Sequence, residues 1–210
     1  MLYFTSDQHY FHSRVLELIP HRPWKTLDEM HNGLIDRHNS LVTDEDVLVI
    51  LGDFIMGKKA QSIPAILPRL TGRKYLLLGN HDAGFHHGEH NADDKLGLYL
   101  TNGLLGFDRG CLDLATFLES MGEDTNEIPY GLDINICHFP YRGVEEHAAC
   151  EERLAAFKPI ASETLLLHGH THSIQDLTAA NMIHIGVDAW EWSPVSLEQV
   201  LSLYATVHPG

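Results

Sequence analysis

The sequence predicts an α/β protein, on two observations. Six short apolar runs recur along the 210 residues, and segments of helical periodicity lie between them. The runs are LYFT (2–5), VLVIL (47–51), KYLLL (74–78), INIC (134–137), TLLLH (164–168) and IHIGV (183–187). Each is too short for a helix and is bounded by Gly, Asp or Asn, so each reads as a buried strand. Between the first two, Thr26-x-x-Glu29 forms a capping box, and Leu27, Met30, Leu34, His38 and Leu41 then share one helical face. Residues 112–121 and 145–157 also read as helices, and Ser196-x-x-Gln199 is a second cap ahead of a closing segment. No repeat, low-complexity tract or linker interrupts the chain, which reads as a single domain over 1–210. The stretch at about 83–130, rich in Gly, Asp and His, reads as an irregular insertion over one edge.

Composition narrows the class. A hydrophobic share of 44% in a chain of this length is enough to bury a full core without disulfides. Fourteen Lys and Arg stand against 29 Asp and Glu, a formal net charge of −15. Such a surface repels nucleic acid and argues against stable binding to it. It does not exclude an enzyme acting on phosphate esters, because bound cations would invert the local sign. Cys111, Cys137 and Cys150 show no CxxC spacing, and an odd, sparse count favours free thiols in a reducing compartment. The stretch MLYFTSDQH has no basic region or sustained apolar run of a signal peptide, and VLVIL is far short of a membrane span. A cytoplasmic location is expected. The unusual number is 16 histidines, whose meaning depends on position.

Position is informative at the strand ends. SDQH follows LYFT, giving Asp7 and His9; GDF follows VLVIL, giving Asp53; GNHD follows KYLLL, giving Asn80, His81 and Asp82. INIC leads into His138, and TLLLH into GHTH with His170 and His172. Strand C-terminal ends of an α/β fold converge on one crevice. Carboxylate, amide oxygen and imidazole delivered together suit two adjacent divalent transition metals. Glycines 52, 79 and 169 let the backbone turn sharply there.

The series SDQH, GDF, GNHD, CHF and GHTH resembles the calcineurin-like metallophosphoesterase superfamily, from Asp7 to His172. FTSDQHYFH, RPWKTLDEM, LGDF and IGVDAWEWSPVSL are similar to a small bacterial and phage-type branch of it. The resemblance implies a four-layer αββα sandwich of two mixed sheets, with a dinuclear centre at one rim. It implies that Asp7, His9 and His172 bind one metal, that Asn80, His138 and His170 bind the other, and that Asp53 bridges both. Two divalent ions are then expected, Mn²⁺ first, with Fe, Zn or Ni also suited to the donors. They would hold a bridging hydroxide for attack on a phosphodiester or phosphomonoester, with a small nucleotide-like compound as the expected substrate.

His81 follows a ligand directly and is the candidate proton donor to the leaving alkoxide. Asp82 is placed either to hold and polarise His81 or to cap the turn. His12, Arg22 and Arg142 are candidates for the substrate side; local packing and ordinary salt bridges are the alternatives. His86, His87 and His90 read as a polar loop that could lean over the site, and His168 and His184 as core histidines or braces. Trp190 and Trp192 would share a face if extended, and Asp188 could brace a ligand histidine. A nuclease on short single-stranded nucleic acid is a rival reading, opposed by the acidic balance and the lack of a basic stripe. A silent scaffold would lack ligands, and here the implied set is complete. Apolar residues of 83–130 leave an oligomer open.

Overall fold

The structure, a computed structural model, describes residues 1–86, 89, 91–143 and 154–208. Over these residues it is an α/β structure with two mixed five-stranded sheets. In the first sheet β1 (Leu2–Thr5), β2 (Val47–Ile50), β3 (Arg73–Leu77) and β4 (Leu104–Asp108) run parallel, in that spatial order. In the second, β5 (Cys111–Asp113) lies antiparallel to β6 (Ile134–Cys137), which pairs in parallel with β7 (Leu165–His168). Beyond β7 come β9 (Met182–His184), parallel, and then β8 (Leu177–Ala179), antiparallel. The two-residue strand β10 (Val195–Ser196) returns to the first sheet, antiparallel to β1.

The period of two in each strand sorts side chains between two cores. Leu2, Phe4, Val49, Leu51, Tyr75 and Leu77 meet Ile134, Ile136, Leu165, Leu167 and Ile183, so apolar faces of both sheets join in one cluster. Tyr3, Leu48, Ile50 and Leu76 point the other way, into a second cluster with Met30, Leu34 and Ile35. Those three belong to the helix Leu27–Asn39, and each is at most 3% exposed. Fully burying such a side chain contributes roughly 1.5–3 kcal/mol. That is the energy that fixes this helix against the sheet.

Helix boundaries follow the caps. Thr26 Oγ1 accepts the Glu29 N–H at 3.2 Å, and Glu29 Oε2 accepts the Thr26 N–H at 3.3 Å. Ser196 and Gln199 repeat the exchange at 3.2 and 3.0 Å, starting the last helix (Leu197–Val207). The expected helix at 112–121 is shortened to Leu114–Ser120, because Cys111–Asp113 pairs with β6 and Asp113 caps the helix. The expected helix at 145–157 falls mostly outside the described residues. Among those described, no helix is long and apolar enough to cross a membrane.

The stretch 83–130 is more regular than expected: its described residues supply the helix Ala92–Thr101, then β4 at the edge of the first sheet and β5 at the edge of the second. Both strands are short and interrupted by Gly or Asp, which hides their period.

Candidate metal centre

Strand register brings the exits level. Thr5 pairs with Ile50 and Ile50 with Leu76 in one sheet, and Cys137 pairs with His168 in the other. Beyond these pairs the backbone zips on: Asp7 N–H donates to Gly52 O at 3.0 Å, His9 N–H to Asp53 O at 2.9 Å, and Gly169 N–H to His138 O at 3.0 Å. The turns are tight. Gly52 has φ +90°, and a Cβ there would stand 2.5 Å from His138 Nδ1 and 2.6 Å from the Gly79 backbone. Asp7, His9, Asp53, His170 and His172 all take left-handed φ of 62°, 53°, 51°, 70° and 52°. A non-glycine residue there costs of order 1–3 kcal/mol, and such strain clusters at functional sites.

Two groups result. Asp7, His9 and His172 bring ligand atoms within 4.8 Å of one another, and so do Asp53, His138 and His170. Asp53 stands between them, with Oδ2 3.5 Å from His9 Nε2 and Oδ1 3.4 Å from His138 Nε2. Asn80 Oδ1 lies 3.1 Å from His138 Nε2. His9 and His172 face each other through Nε2 atoms 3.0 Å apart.

The surroundings fix how those rings are protonated. His172 Nδ1 donates to Asp188 Oδ2 at 2.9 Å and His138 Nδ1 to the Leu51 carbonyl at 2.8 Å. With Nδ1 so engaged, each ring directs Nε2 into the cluster, where on losing its proton it would offer a lone pair, the arrangement found where histidine binds metal. Burial holds His9 well below its ordinary range, which favours its neutral form. Burial opposes protonation of His138, but the Asp53 charge outweighs it and pushes the ring up to about 9. Burial likewise resists charging Asp7, while His184, His172 and His138 hold its carboxyl low. Converging lone pairs and carboxylates demand a positive charge, from a proton or an ion. The donor set fits divalent transition metals bound through nitrogen and oxygen.

Behind the ligands runs a buried charged brace. Arg22 donates from Nε and Nη2 to the two oxygens of Asp188 at 2.9 and 2.8 Å, and both side chains are fully buried. The same guanidinium donates to Asp7 O at 2.7 Å and Gln8 O at 3.0 Å. Arg22 therefore does not clamp a substrate phosphate. Its donors are taken by the loop of Asp7 and by the carboxylate that orients His172. Asp188 braces His172, a candidate ligand, and His21 joins it at 3.1 Å.

Asp82 is also placed differently from the expected pairing with His81. Its oxygens accept the backbone N–H groups of Asp53 (2.7 Å), Gly79 (2.9 Å), Phe54 (3.0 Å) and Ile55 (3.2 Å), and the Tyr99 hydroxyl at 3.4 Å. Burial and the Asp53 carboxylate push its carboxyl up to about 7. Asp82 ties the Gly52 and Gly79 turns together. It is the turn-capping alternative, buried at 3% exposure.

No known family profile matches the chain. Over 215 residues it is 32% identical to the Gene 66 protein of Mycobacterium phage D29, covering all of this chain and 98% of the phage protein. The chain belongs to the Gene 66 protein family of mycobacteriophages. The Gene 66 protein of phage L5 is 30% identical over 211 residues, 98% of this chain and 95% of that protein. UPF0046 protein K07C11.7 of Caenorhabditis elegans is 29% identical over 142 residues, 64% of this chain and 46% of the worm protein. The crystal structure of AQ665 from Aquifex aeolicus, a protein of unknown function, superposes with a TM-score of 0.64. At 21% identity over 97% of this chain and 98% of that one, it shows a shared fold.

In this Gene 66 family chain, His81 stands at the rim of the centre. Its side chain is 41% exposed, with Nε2 4.0 Å from Asp53 Oδ2 and its backbone N–H on Asp53 Oδ1 at 2.8 Å. His12 is brought alongside, its ring 6.2 Å from His81 and 5.5 Å from His9. Arg142 is not: it is exposed, and its Nε donates to the Lys158 carbonyl at 3.0 Å. Among the described residues no hydrogen bond or ion pair joins it to either ligand group. His86 packs edge-on against Phe85, at 5.0 Å between rings, while His87 and His90 lie outside the described residues.

His168 is satisfied by Thr178 Oγ1 and Gly169 O. His184 is fully buried with Nε2 3.8 Å from Asp7 Oδ2, behind that ligand. Trp190 and Trp192 sit in turns rather than a strand, and pack in different cores. Trp192 meets Trp24 at 5.6 Å and Arg37 at 5.3 Å, so the pair forms no stacking platform.

Proposed function

We propose that this Gene 66 family chain is a dinuclear metal-dependent phosphoesterase, of the calcineurin-like metallophosphoesterase type and with its four-layer αββα sandwich. It would hydrolyse phosphodiester or phosphomonoester bonds of a small nucleotide-like substrate. The observation that carries the reading is Asp53, whose two oxygens face the two ligand groups at 3.5 and 3.4 Å. Asp7, His9 and His172 would hold one ion, Asn80, His138 and His170 the other, and Asp53 both, with Mn²⁺ first and Fe, Zn or Ni as further occupants. When bound, such ions supply Lewis acidity towards phosphate oxygens and acidify a water.

The chain's own residues do the rest. Strained strand exits hold the donors in place before substrate arrives. His81, exposed on one side and beside Asp53 on the other, is placed to pass a proton to the leaving oxygen, with His12 next to it. The acidic surface, at −15, favours a small substrate over a polymeric nucleic acid.

The test is metal analysis joined to turnover. Protein reconstituted with Mn²⁺ is expected to hold two ions per chain and to hydrolyse a generic phosphodiester or phosphomonoester. His81→Gln should keep both ions and lose about 10²–10⁴-fold in kcat. A reconstituted protein with no metal, or with both ions and no turnover on any phosphate ester, would overturn the reading.

A further inference from the structure

By count and spacing the cysteines read as free thiols, but the fold brings two of them opposite one another. Cys111 opens β5 and Cys137 closes β6; the strands are antiparallel, with Cys111 and Cys137 directly opposite in register. Opposed residues of an antiparallel pair have Cα atoms about 4.5 or 5.5 Å apart and side chains on the same face. Both separations fall within the roughly 4.4–6.8 Å that a disulfide spans. Their settings differ: Cys111 is exposed and Cys137 is buried. The neighbouring Cys137 thiol lowers the Cys111 thiol below the ordinary range against the effect of burial, favouring the attacking form where small molecules can reach it.

We propose that Cys111 and Cys137 are a redox-active dithiol that closes into a reversible cross-strand disulfide by exchange with low-molecular-weight disulfides. The Cys111 thiolate attacks one sulfur of the small disulfide; that S–S bond breaks, and the leaving thiolate takes up the Cys111 proton. A mixed disulfide remains on Cys111. Cys137 then attacks the Cys111 sulfur, forming the protein S–S bond, breaking the mixed one and giving its proton to the second leaving thiolate. Two protein thiols are oxidised and one small disulfide is reduced to two thiols. This chemistry uses no ligand of the metal centre and does not depend on the phosphoesterase reading.

Peptide mapping of the native full-length protein after exposure to glutathione disulfide tests it. After acid quench and cleavage at Glu119, Glu123 and Glu127, which lie between the two cysteines, the Cys111 and Cys137 peptides should be linked. The link should form in wild type and in Cys150→Ser alike, and dithiothreitol should remove it. In Cys137→Ser the glutathione adduct should accumulate on Cys111. A lasting glutathione adduct on wild-type Cys111, a bridge from either cysteine to Cys150, or no change in any thiol would overturn the proposal.

Discussion

Arg22 and Asp188 each bring a charge into an interior where neither side chain is exposed. Breaking a buried pair by removing one partner costs about 3–5 kcal/mol, because the other charge stays behind. Arg22→Ala should therefore lower the unfolding free energy by that order, read from urea denaturation. Arg22→Lys, which cannot reproduce the bidentate fork, should fold yet weaken Mn²⁺ binding at the proposed site of Asp7, His9 and His172 more than at the proposed second site; competitive Mn²⁺ titration would show the difference. Asp82 is a second such point. Asp82→Ala would strip an acceptor from four backbone N–H groups, each worth about 1–3 kcal/mol when buried unpaired. Chemical denaturation should register the loss even with His81 intact, and an unchanged midpoint would refute the tethering role. The gathering of Asp7, His9, Asp53, Asn80, His138, His170 and His172 at one place was legible in the sequence because each follows a strand. Where Arg22 and Asp82 point was not: neighbours in a turn share position but not direction.

Within elements, the helix Leu27–Asn39 carries a pH dependence. His38 is buried at 4% exposure, with Nε2 3.0 Å from the Thr71 carbonyl. Burial pushes its ring down to about 4, against the pull of that hydrogen bond. Below about 6.5 the unfolded chain takes up a proton that the folded chain refuses until about 4. Stability from this site is thus full above about 6.5 and falls as pH drops across that window, by roughly 3 kcal/mol in all. His38→Gln keeps a donor for Thr71 and cannot take the proton, so urea midpoints measured from pH 7 to 4 should fall less steeply than in wild type. Capping boxes and the uninterrupted apolar strands were readable because their signals are local. The edge strands β4 and β5 were not, since three to five residues with Gly and Asp carry no period until a neighbour strand supplies one. The Cys111–Cys137 pair depends on that same register and was hidden with it.

At the scale of the whole molecule, ions that bind only the folded chain add stability by mass action, about 4 kcal/mol at a free concentration a thousandfold above Kd. For a chain of this size that is a melting shift on the order of 10 °C. Adding a chelator to metal-loaded protein should produce such a drop, reversed by Mn²⁺ and absent in Asp53→Ala. The order of strands has another consequence. β1, whose exit carries Asp7 and His9, finds its outer neighbour in β10, through Tyr3 with Ser196 and Phe4 with Val195. Its loop is held by Arg22, which itself waits for Asp188. On a ribosome adding roughly 5–20 residues per second, β1 is made on the order of 10 s before the strand that completes it. A nascent chain halted before Asp188 would carry most of the first sheet yet lack the brace that orients His172. Assembly of the site therefore waits for Asp188 and β10, well after the strands that carry most of its side chains have been made.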